Sequence, residues 1–215
     1  MQPPIHPPIA RKRKSKWRGW WMRQLHSWHW ISAAVSLIGM LLFAITGITL
    51  NHAATIAAKP VVAERSAQLP PPLLRALATP HAADAPLPQV VAARVADAIG
   101  LDPTDHPAEW SDTDVYVAMP RPGGDAWVSI DRATGRITAE VTDRGWISYL
   151  NDLHKGRNAG GAWAWFIDIF AVACILFTMT GLLLLQLHAR NRPLTWPLVA
   201  FGLAVPVLLA FLLIH

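Results

Sequence analysis

Histidines are the residues of this 215-residue chain whose type and placement most favour site chemistry. Five of the nine lie close to the ends of long apolar segments: His26, His29, His52, His154 and His188. Neutral imidazole binds iron, copper and zinc. These five side chains are therefore the candidate cofactor ligands. The other four, His6, His81, His106 and His215, lie in proline-rich or polar contexts or at the last position.

Two apolar stretches nearly repeat each other beside these histidines. Residues 42–50 read Leu-Phe-Ala-Ile-Thr-Gly-Ile-Thr-Leu, and residues 176–184 read Leu-Phe-Thr-Met-Thr-Gly-Leu-Leu-Leu. Small residues let membrane helices approach closely, and threonine can form hydrogen bonds across them. The repeat therefore predicts two helices that pack together, with Thr-Gly as the packing element and a site between them.

Three apolar segments are long enough to cross a bilayer: Ile31–Leu50, Ala162–Leu187 and Leu194–Ile214. The first has 20 residues without a charge, which as a helix covers ~30 Å. The composition, 53% hydrophobic and 15% charged, excludes an ordinary soluble protein. The one cysteine, Cys174, permits no intramolecular disulfide.

Basic residues predict the orientation of these spans. Seven lie ahead of the first span: Arg11, Lys12, Arg13, Lys14, Lys16, Arg18 and Arg23. Because an apolar span follows at once, the positive-inside rule explains this run better than nucleic-acid binding. We expect a cytoplasmic N-terminus, residues 53–161 outside, and an outer C-terminus. His26, His29 and His188 then lie at the cytoplasmic face, and His52 and His154 lie at the outer face.

The segment between the first two spans predicts a small mixed domain. Residues 53–86 are rich in alanine and proline and indicate a linker with little regular structure. Residues 87–101 have a helical apolar pattern ended by Gly100, and residues 114–119, 126–131 and 136–141 alternate as strands. Gly135 stands in the turn before the last strand, where a positive φ is expected.

This helix and hairpin, with Val128-Ser129-Ile130-Asp131-Arg132-Ala133-Thr134-Gly135-Arg136-Ile137, resemble a PepSY domain. The flanking Leu25-His26-Ser27-Trp28-His29-Trp30, Leu153-His154-Lys155-Gly156 and the two Thr-Gly pairs resemble PepSY-associated transmembrane proteins. Larger members of that family include bacterial inner-membrane reductases of ferric siderophores that bind haem b through histidines. The resemblance implies haem b, a periplasmic ferric iron or siderophore substrate, and a quinol or cytoplasmic electron donor. The chain carries no Gly-x-Gly-x-x-Gly fingerprint for flavin or nicotinamide.

The predicted fold class is an α-helical membrane protein with three transmembrane helices and a small α+β PepSY-like extracytoplasmic domain. The predicted segments are a basic N-terminus at 1–27, spans at 28–52, 162–188 and 194–215, the linker at 53–86, the PepSY-like domain at 87–150, a loop at 151–161 and a turn at 189–193.

Two further expectations concern the site. His52 and His154 are the favoured pair for haem iron or another metal, and a second pair could form among His26, His29 and His188. Asp168 is the one carboxylate within a span, where a charge is costly and therefore a candidate for function. It could instead bond polar side chains of a neighbouring helix.

Three functions stay open at this point. The first is a membrane ferric reductase. The second is a non-enzymatic accessory protein that binds a transporter or peptidase through strand edges. The third is a metal-handling subunit that passes iron or copper to a transporter. Histidines at span ends can also simply lie in the membrane interface.

Overall fold

The computed structural model describes residues 16–56, 59–79 and 82–214, apart from the side chains of Lys16 and Asn191. His6, His81, His215 and most of the predicted basic run lie outside these ranges. The described residues belong to two compact units. We call Met1–Met40 with Asp168–His215 the helical unit, and Leu41–Ile167 the mixed unit.

Three helices in the described residues are long and apolar enough to cross a membrane, as the sequence predicted. They are α1 (Lys16–Asn51), α5 (Gly160–His188) and α6 (Thr195–Leu213). Helix α1 begins well before the predicted span, because the tryptophan-rich segment ahead of Ile31 is also helical. Most of the side chains of the three helices are exposed, which suits contact with lipid.

The mixed unit contains a five-stranded antiparallel sheet in the order β1-β5-β4-β3-β2. Its strands are β1 (Val61–Gln68), β2 (Ala108–Trp110), β3 (Asp114–Ala118), β4 (Gly124–Asp131) and β5 (Arg136–Asp143). Helices α2 (Pro71–Ala78) and α3 (Gln89–Ile99) lie between β1 and β2 in the chain, and α4 (Gly145–Lys155) follows β5. We call the sheet with α2 and α3 the sheet domain.

One face of the sheet packs against α2 and α3. Val91, Val95 and Ile99 recur at helical spacing on α3 and are buried against strand residues such as Val128 and Ile130. Burying a side chain of this kind stabilises the fold by about 1.5–3 kcal/mol. This apolar layer holds the sheet domain together.

Two turns have the geometry that the sequence predicted. Gly100 ends α3 in the left-handed conformation at φ 68°, and Gly135 has φ 73° between β4 and β5. Asp131 accepts hydrogen bonds from the backbone N–H groups of Ala133 and Thr134 in this second turn. These bonds lower the pKa of the Asp131 carboxyl.

The prediction of a linker with little regular structure at residues 53–86 is wrong for part of that segment. Residues 61–68 form β1, which pairs with β5 along its whole length, and residues 71–78 form α2. The sheet therefore has five strands where the sequence indicated three. Strand β1 was missed because neither of its faces is regularly buried, so its apolar residues do not alternate.

Candidate functional site

His29 on α1 contacts the second copy of the sequence repeat, on α5. Its Nδ1 lies 3.1 Å from the Thr180 hydroxyl oxygen. Its ring stacks on Phe177, with ring centres 4.8 Å apart and planes at 18°. Gly181 lies directly under the ring, and a Cβ there would stand 3.2 Å from the imidazole. We call this set of contacts the His29 clasp.

Small residues let α1 and α5 approach closely beyond this clasp. Ser32 and Ser36 are buried on α1 and donate to carbonyls of their own helix, so they need no partner on another helix. Gly39 faces Phe170, and a Cβ at Gly39 would collide with that ring. The small-residue seam fits the close helix packing expected of membrane helices.

His154 on α4 contacts the first copy of the repeat, on α1, in the same way. Its Nδ1 lies 2.7 Å from the Thr46 hydroxyl oxygen, and its ring lies 4.8 Å from Phe43 at 37°. Gly47 again faces the imidazole, at 3.6 Å from a built Cβ. We call this set the His154 clasp. In both units, the repeated motif Phe-x-x-Thr-Gly therefore contacts a histidine side chain from another helix.

Neighbouring polar contacts extend the His154 clasp. Thr49 donates to the Asn151 amide oxygen at 2.7 Å, one helical turn from Thr46. Asp152 is buried, accepts the backbone N–H of Gly123 at 2.9 Å, and lies 3.5 Å from the Lys155 ammonium. Helix α4 thus joins α1 on one side to the β3–β4 connection on the other.

The other three candidate histidines are exposed and share one backbone contact. The Nδ1 of each lies close to the carbonyl oxygen four residues earlier: Met22 for His26 at 2.7 Å, Ile48 for His52 at 3.0 Å, and Leu184 for His188 at 2.8 Å. A carbonyl can only accept a hydrogen bond. In the neutral ring, Nδ1 therefore carries the proton and the Nε2 lone pair is left for a ligand.

The clasped histidines have the same tautomer for a related reason. The Thr180 hydroxyl donates to Leu176 at 2.6 Å, and the Thr46 hydroxyl donates to Leu42 at 2.9 Å. A hydroxyl that gives its one hydrogen to a carbonyl of its own helix can only accept from the imidazole. His29 and His154 then also carry the proton on Nδ1 and leave Nε2 as the electron-pair donor.

The contacts decide between His26 and His29, which the sequence left open. His29 is partly buried in its clasp, whereas His26 is exposed on α1. The packing role expected for the two Thr-Gly pairs is confirmed, because both threonines bond across helices. The pairing of His52 with His154 stays a prediction. His154 lies against Thr46, six residues or ~9 Å of helix before His52.

Asp168 lies on α5 with its side chain exposed. Among the described residues, no group of three or more His, Cys, Asp or Glu side chains is placed to hold a metal ion. A bis-histidine haem site needs only two protein ligands, so this count does not bear on haem.

Sequence reasoning missed several residues of the site. Phe43 and Phe177 stand at equal positions in the repeat, which was the available signal for their shared role. Asn151 and Asp152 fall at the start of what the sequence indicated as a loop, where α4 in fact continues to Lys155. Their burial comes from tertiary contacts that a local pattern does not contain.

A cleft of about 780 Å³ lies beside the His29 clasp, between α1 and α5. Its walls are mainly apolar, with four indole or leucine side chains on α1 and three leucines on α5: Trp20, Trp21, Leu25, Trp28, Leu176, Leu183 and Leu187. Thr180, Arg18, Gln24 and Gln186 are its polar residues with Met22 beside them. This volume is in the range of small-molecule and cofactor pockets.

The family model described as "Putative PepSY_TM-like" matches residues 20–215, which include both clasps. The chain belongs to this family. The match confirms the PepSY-associated membrane family indicated by the sequence, and with it the fold class of three candidate membrane helices and a small α+β domain. No curated protein and no solved structure matches the chain. In this PepSY_TM-like chain, the family assignment itself names no cofactor or reaction.

Proposed function

We propose that this PepSY_TM-like protein binds haem b through histidines at its span ends and supports the reduction of ferric iron or a ferric siderophore. The main support is the hydrogen bonding of the Nδ1 atoms of the candidate histidines. In all five candidate histidines Nδ1 lies within hydrogen-bond distance of a carbonyl or hydroxyl oxygen, so a neutral ring that donates from Nδ1 presents its Nε2 lone pair to a ligand. A hydrogen bond from Nδ1–H is the outer contact that orients histidine ligands of metals.

The five candidate histidines could hold haem in two different ways. His26, His52 and His188 are exposed, so their Nε2 atoms are accessible without moving another side chain. His29 and His154 are held rigidly by threonine and phenylalanine, which fixes the direction of the ring. Haem, when bound, would supply one-electron transfer, and the chain's own residues would hold and orient it.

The cleft beside the His29 clasp supports a large planar apolar ligand. Indoles and leucines form its walls, and Thr180, which orients His29, lines it as well. Apolar surroundings also control the potential of a redox group, because they disfavour extra charge. The helical unit therefore offers both a rigid histidine and an apolar space within the same helix pair.

The proposal includes an orientation. The basic residues before the first span support a bacterial inner-membrane location with a cytoplasmic N-terminus, and residues 53–161 would then lie in the periplasm. Electrons would then come from a quinol or a cytoplasmic donor and leave on the periplasmic side. An iron transporter is the matching partner for the reduced product.

The test is the visible spectrum of the full chain, produced with ample haem and purified in detergent. We expect a Soret band that sharpens on reduction with dithionite, together with stoichiometric haem by extraction. Single alanine variants of the five histidines identify the ligands, because loss of one axial ligand changes the spin state and the spectrum. His106→Ala is the matched control, since His106 lies in the sheet domain outside both clasps.

A colourless protein under these conditions contradicts the proposal. A band unchanged in all five single variants contradicts it as well, because the haem would then be held elsewhere.

A further inference from the structure

The face of the sheet opposite α2 and α3 carries the side chains that alternate with the buried core. Tyr116 on β3 and Trp127 on β4 lie at its centre, with ring centres 5.9 Å apart. Both rings are partly exposed. We call this surface the open face. An aromatic pair on an uncovered sheet is a feature of binding surfaces, because it offers rigid contact area to a partner.

Carboxylates surround this aromatic pair. The strand register places Glu109 opposite Tyr116, Glu140 opposite Trp127, and Glu64 opposite Glu140. Asp125 lies on the same face of β4, paired with Arg144. Burial and the charges of Glu109, Asp125 and Glu140 raise the pKa of the Tyr116 hydroxyl. The centre of the open face is therefore electronegative.

The direct opposition of Glu64 and Glu140 is unfavourable for the fold alone. Like charges in a cross-strand pair destabilise a sheet. Glu140 accepts a hydrogen bond from Thr142, which does not neutralise it. A positively charged partner would relieve this repulsion.

The spacing of the carboxylates favours an extended peptide segment over a single metal ion as the ligand of the open face. Glu109 stands on β2 at one edge of the sheet, and Glu64 stands on β1 at the other edge. Strands lie about 4.8 Å apart, so four intervals separate these edges by about 19 Å. One metal ion cannot reach across that distance. An extended segment of about six residues can, since each residue advances about 3.3 Å.

We propose that the open face binds a basic segment of a partner protein, with lysine or arginine side chains on the carboxylates and a cation over the Tyr116–Trp127 pair. The surface is independent of the candidate haem ligands, so this proposal stands or fails apart from the redox function. It gives the chain a docking site for a partner.

The test uses the full chain in nanodiscs of zwitterionic lipid and a fluorescein-labelled hexa-arginine peptide as the probe, followed by fluorescence anisotropy at low salt. The variant Glu64→Gln/Glu140→Gln removes two charges from the open face without changing side-chain shape. The control variant Asp84→Asn/Asp97→Asn removes two exposed charges from the α2–α3 connection and α3. Trp127→Phe keeps a smaller ring, and Trp127→Ala removes it.

We expect the open-face double variant to weaken binding about tenfold and the control double variant by less than about twofold. Trp127→Ala should weaken binding about threefold, with Trp127→Phe between it and the original chain. Equal losses in the two double variants would overturn the proposal, because the attraction would then be general. Unchanged binding in the open-face double variant, or no binding by the original chain, would overturn it as well.

Discussion

The His29 clasp and the His154 clasp share the motif Phe-x-x-Thr-Gly but differ in the residues that surround it. In each, an imidazole donates to a threonine, stacks near a phenylalanine and covers a glycine. The His29 ring is nearly parallel to Phe177, and the buried Thr180 is its polar partner. The His154 ring is tilted on Phe43, and its helix has further polar ties through Asn151 and Asp152.

The comparison separates the contacts made by the shared motif from the further polar contacts that only α4 makes. Phe-x-x-Thr-Gly makes the same kind of contact with a histidine on the long helix α1 and with one on the short α4. The extra ties of α4 reach the β3–β4 connection through Gly123. The His154 clasp therefore joins α1 to the sheet domain, whereas the His29 clasp joins two membrane helices.

The largest expected loss of stability comes from disrupting the contact between α4 and Gly123 while leaving His154 unchanged. Gly123 has φ 71°, and a Cβ there would lie 2.7 Å from the backbone of Tyr149. Gly123→Ala should destabilise the mixed unit by about 3 kcal/mol, from backbone strain and overpacking together. Thermal unfolding in detergent measures the loss, and hydrogen exchange should localise it to α4.

Gly145→Ala is the matched control for Gly123→Ala. Gly145 also has a positive φ, of 82°, but a Cβ there meets open space. This variant should cost only the strain of the backbone, about 1 kcal/mol. Equal losses at the two positions would show that α4 does not depend on its contact with Gly123.

The next effect compares the two clasps directly. Thr180→Val and Thr46→Val each keep the side-chain shape and remove the acceptor of an imidazole N–H. We expect losses of about 2 kcal/mol for Thr180→Val and about 1 kcal/mol for Thr46→Val, because the Thr49–Asn151 bond still holds α4. The readout is the thermal unfolding midpoint of each variant in the same detergent.

Thr178→Val is the control for both threonine variants. Thr178 is exposed and donates to the Cys174 carbonyl of its own helix. A loss at Thr178 as large as the loss at Thr180 would mean that the hydroxyls act within their helices and not on the histidines.

The smallest effect concerns pH and lies in the sheet domain alone. Hydrogen bonds from Ser111 in the first place, and from Thr113 and Ser129, lower the pKa of the Asp114 carboxyl. A carboxyl with a lowered pKa in the fold stabilises it above the pKa of the unfolded chain, and that stability is lost as the pH falls. Acidification from about pH 5 to pH 3 should therefore lower the unfolding midpoint of the sheet domain.

Asp114→Asn tests this assignment. The variant should unfold at a lower temperature than the original chain at pH 6, and it should change less between pH 6 and pH 3. An unchanged pH response would show that Asp114 contributes no acid sensitivity.

The membrane helices and the α3–hairpin part of the sheet domain were predictable because their signals are local. Long uncharged runs predict spans, and residues 126–131 alternate so regularly that β4 needs no tertiary information. Gly100 and Gly135 mark their turns through conformations that other residues adopt at a cost. Strand β1 carries no such signal, because it forms by pairing with β5 across a long stretch of chain.

The candidate site was only partly predictable. The sequence indicated which histidines lie near span ends and that Thr-Gly packs between helices, but it could not join His154 to Thr46, 108 residues apart. The repeat contained Phe43 and Phe177, yet their contact with imidazole depends on how far each helix is rotated. Rotation is set by the complete seam, including Gly39 against Phe170, which no single motif encodes.

In our interpretation, the two clasps and the three backbone contacts hold the neutral histidines with Nε2 as the free lone pair. Long-range proton–nitrogen NMR correlation of the full chain in detergent, without haem and with ¹⁵N-labelled histidine, tests this most directly. We predict a protonated Nδ1 and an unprotonated Nε2 for His29 and His154, with the pattern lost in Thr180→Val and Thr46→Val respectively. A protonated Nε2 at either clasped histidine in the original chain would contradict it.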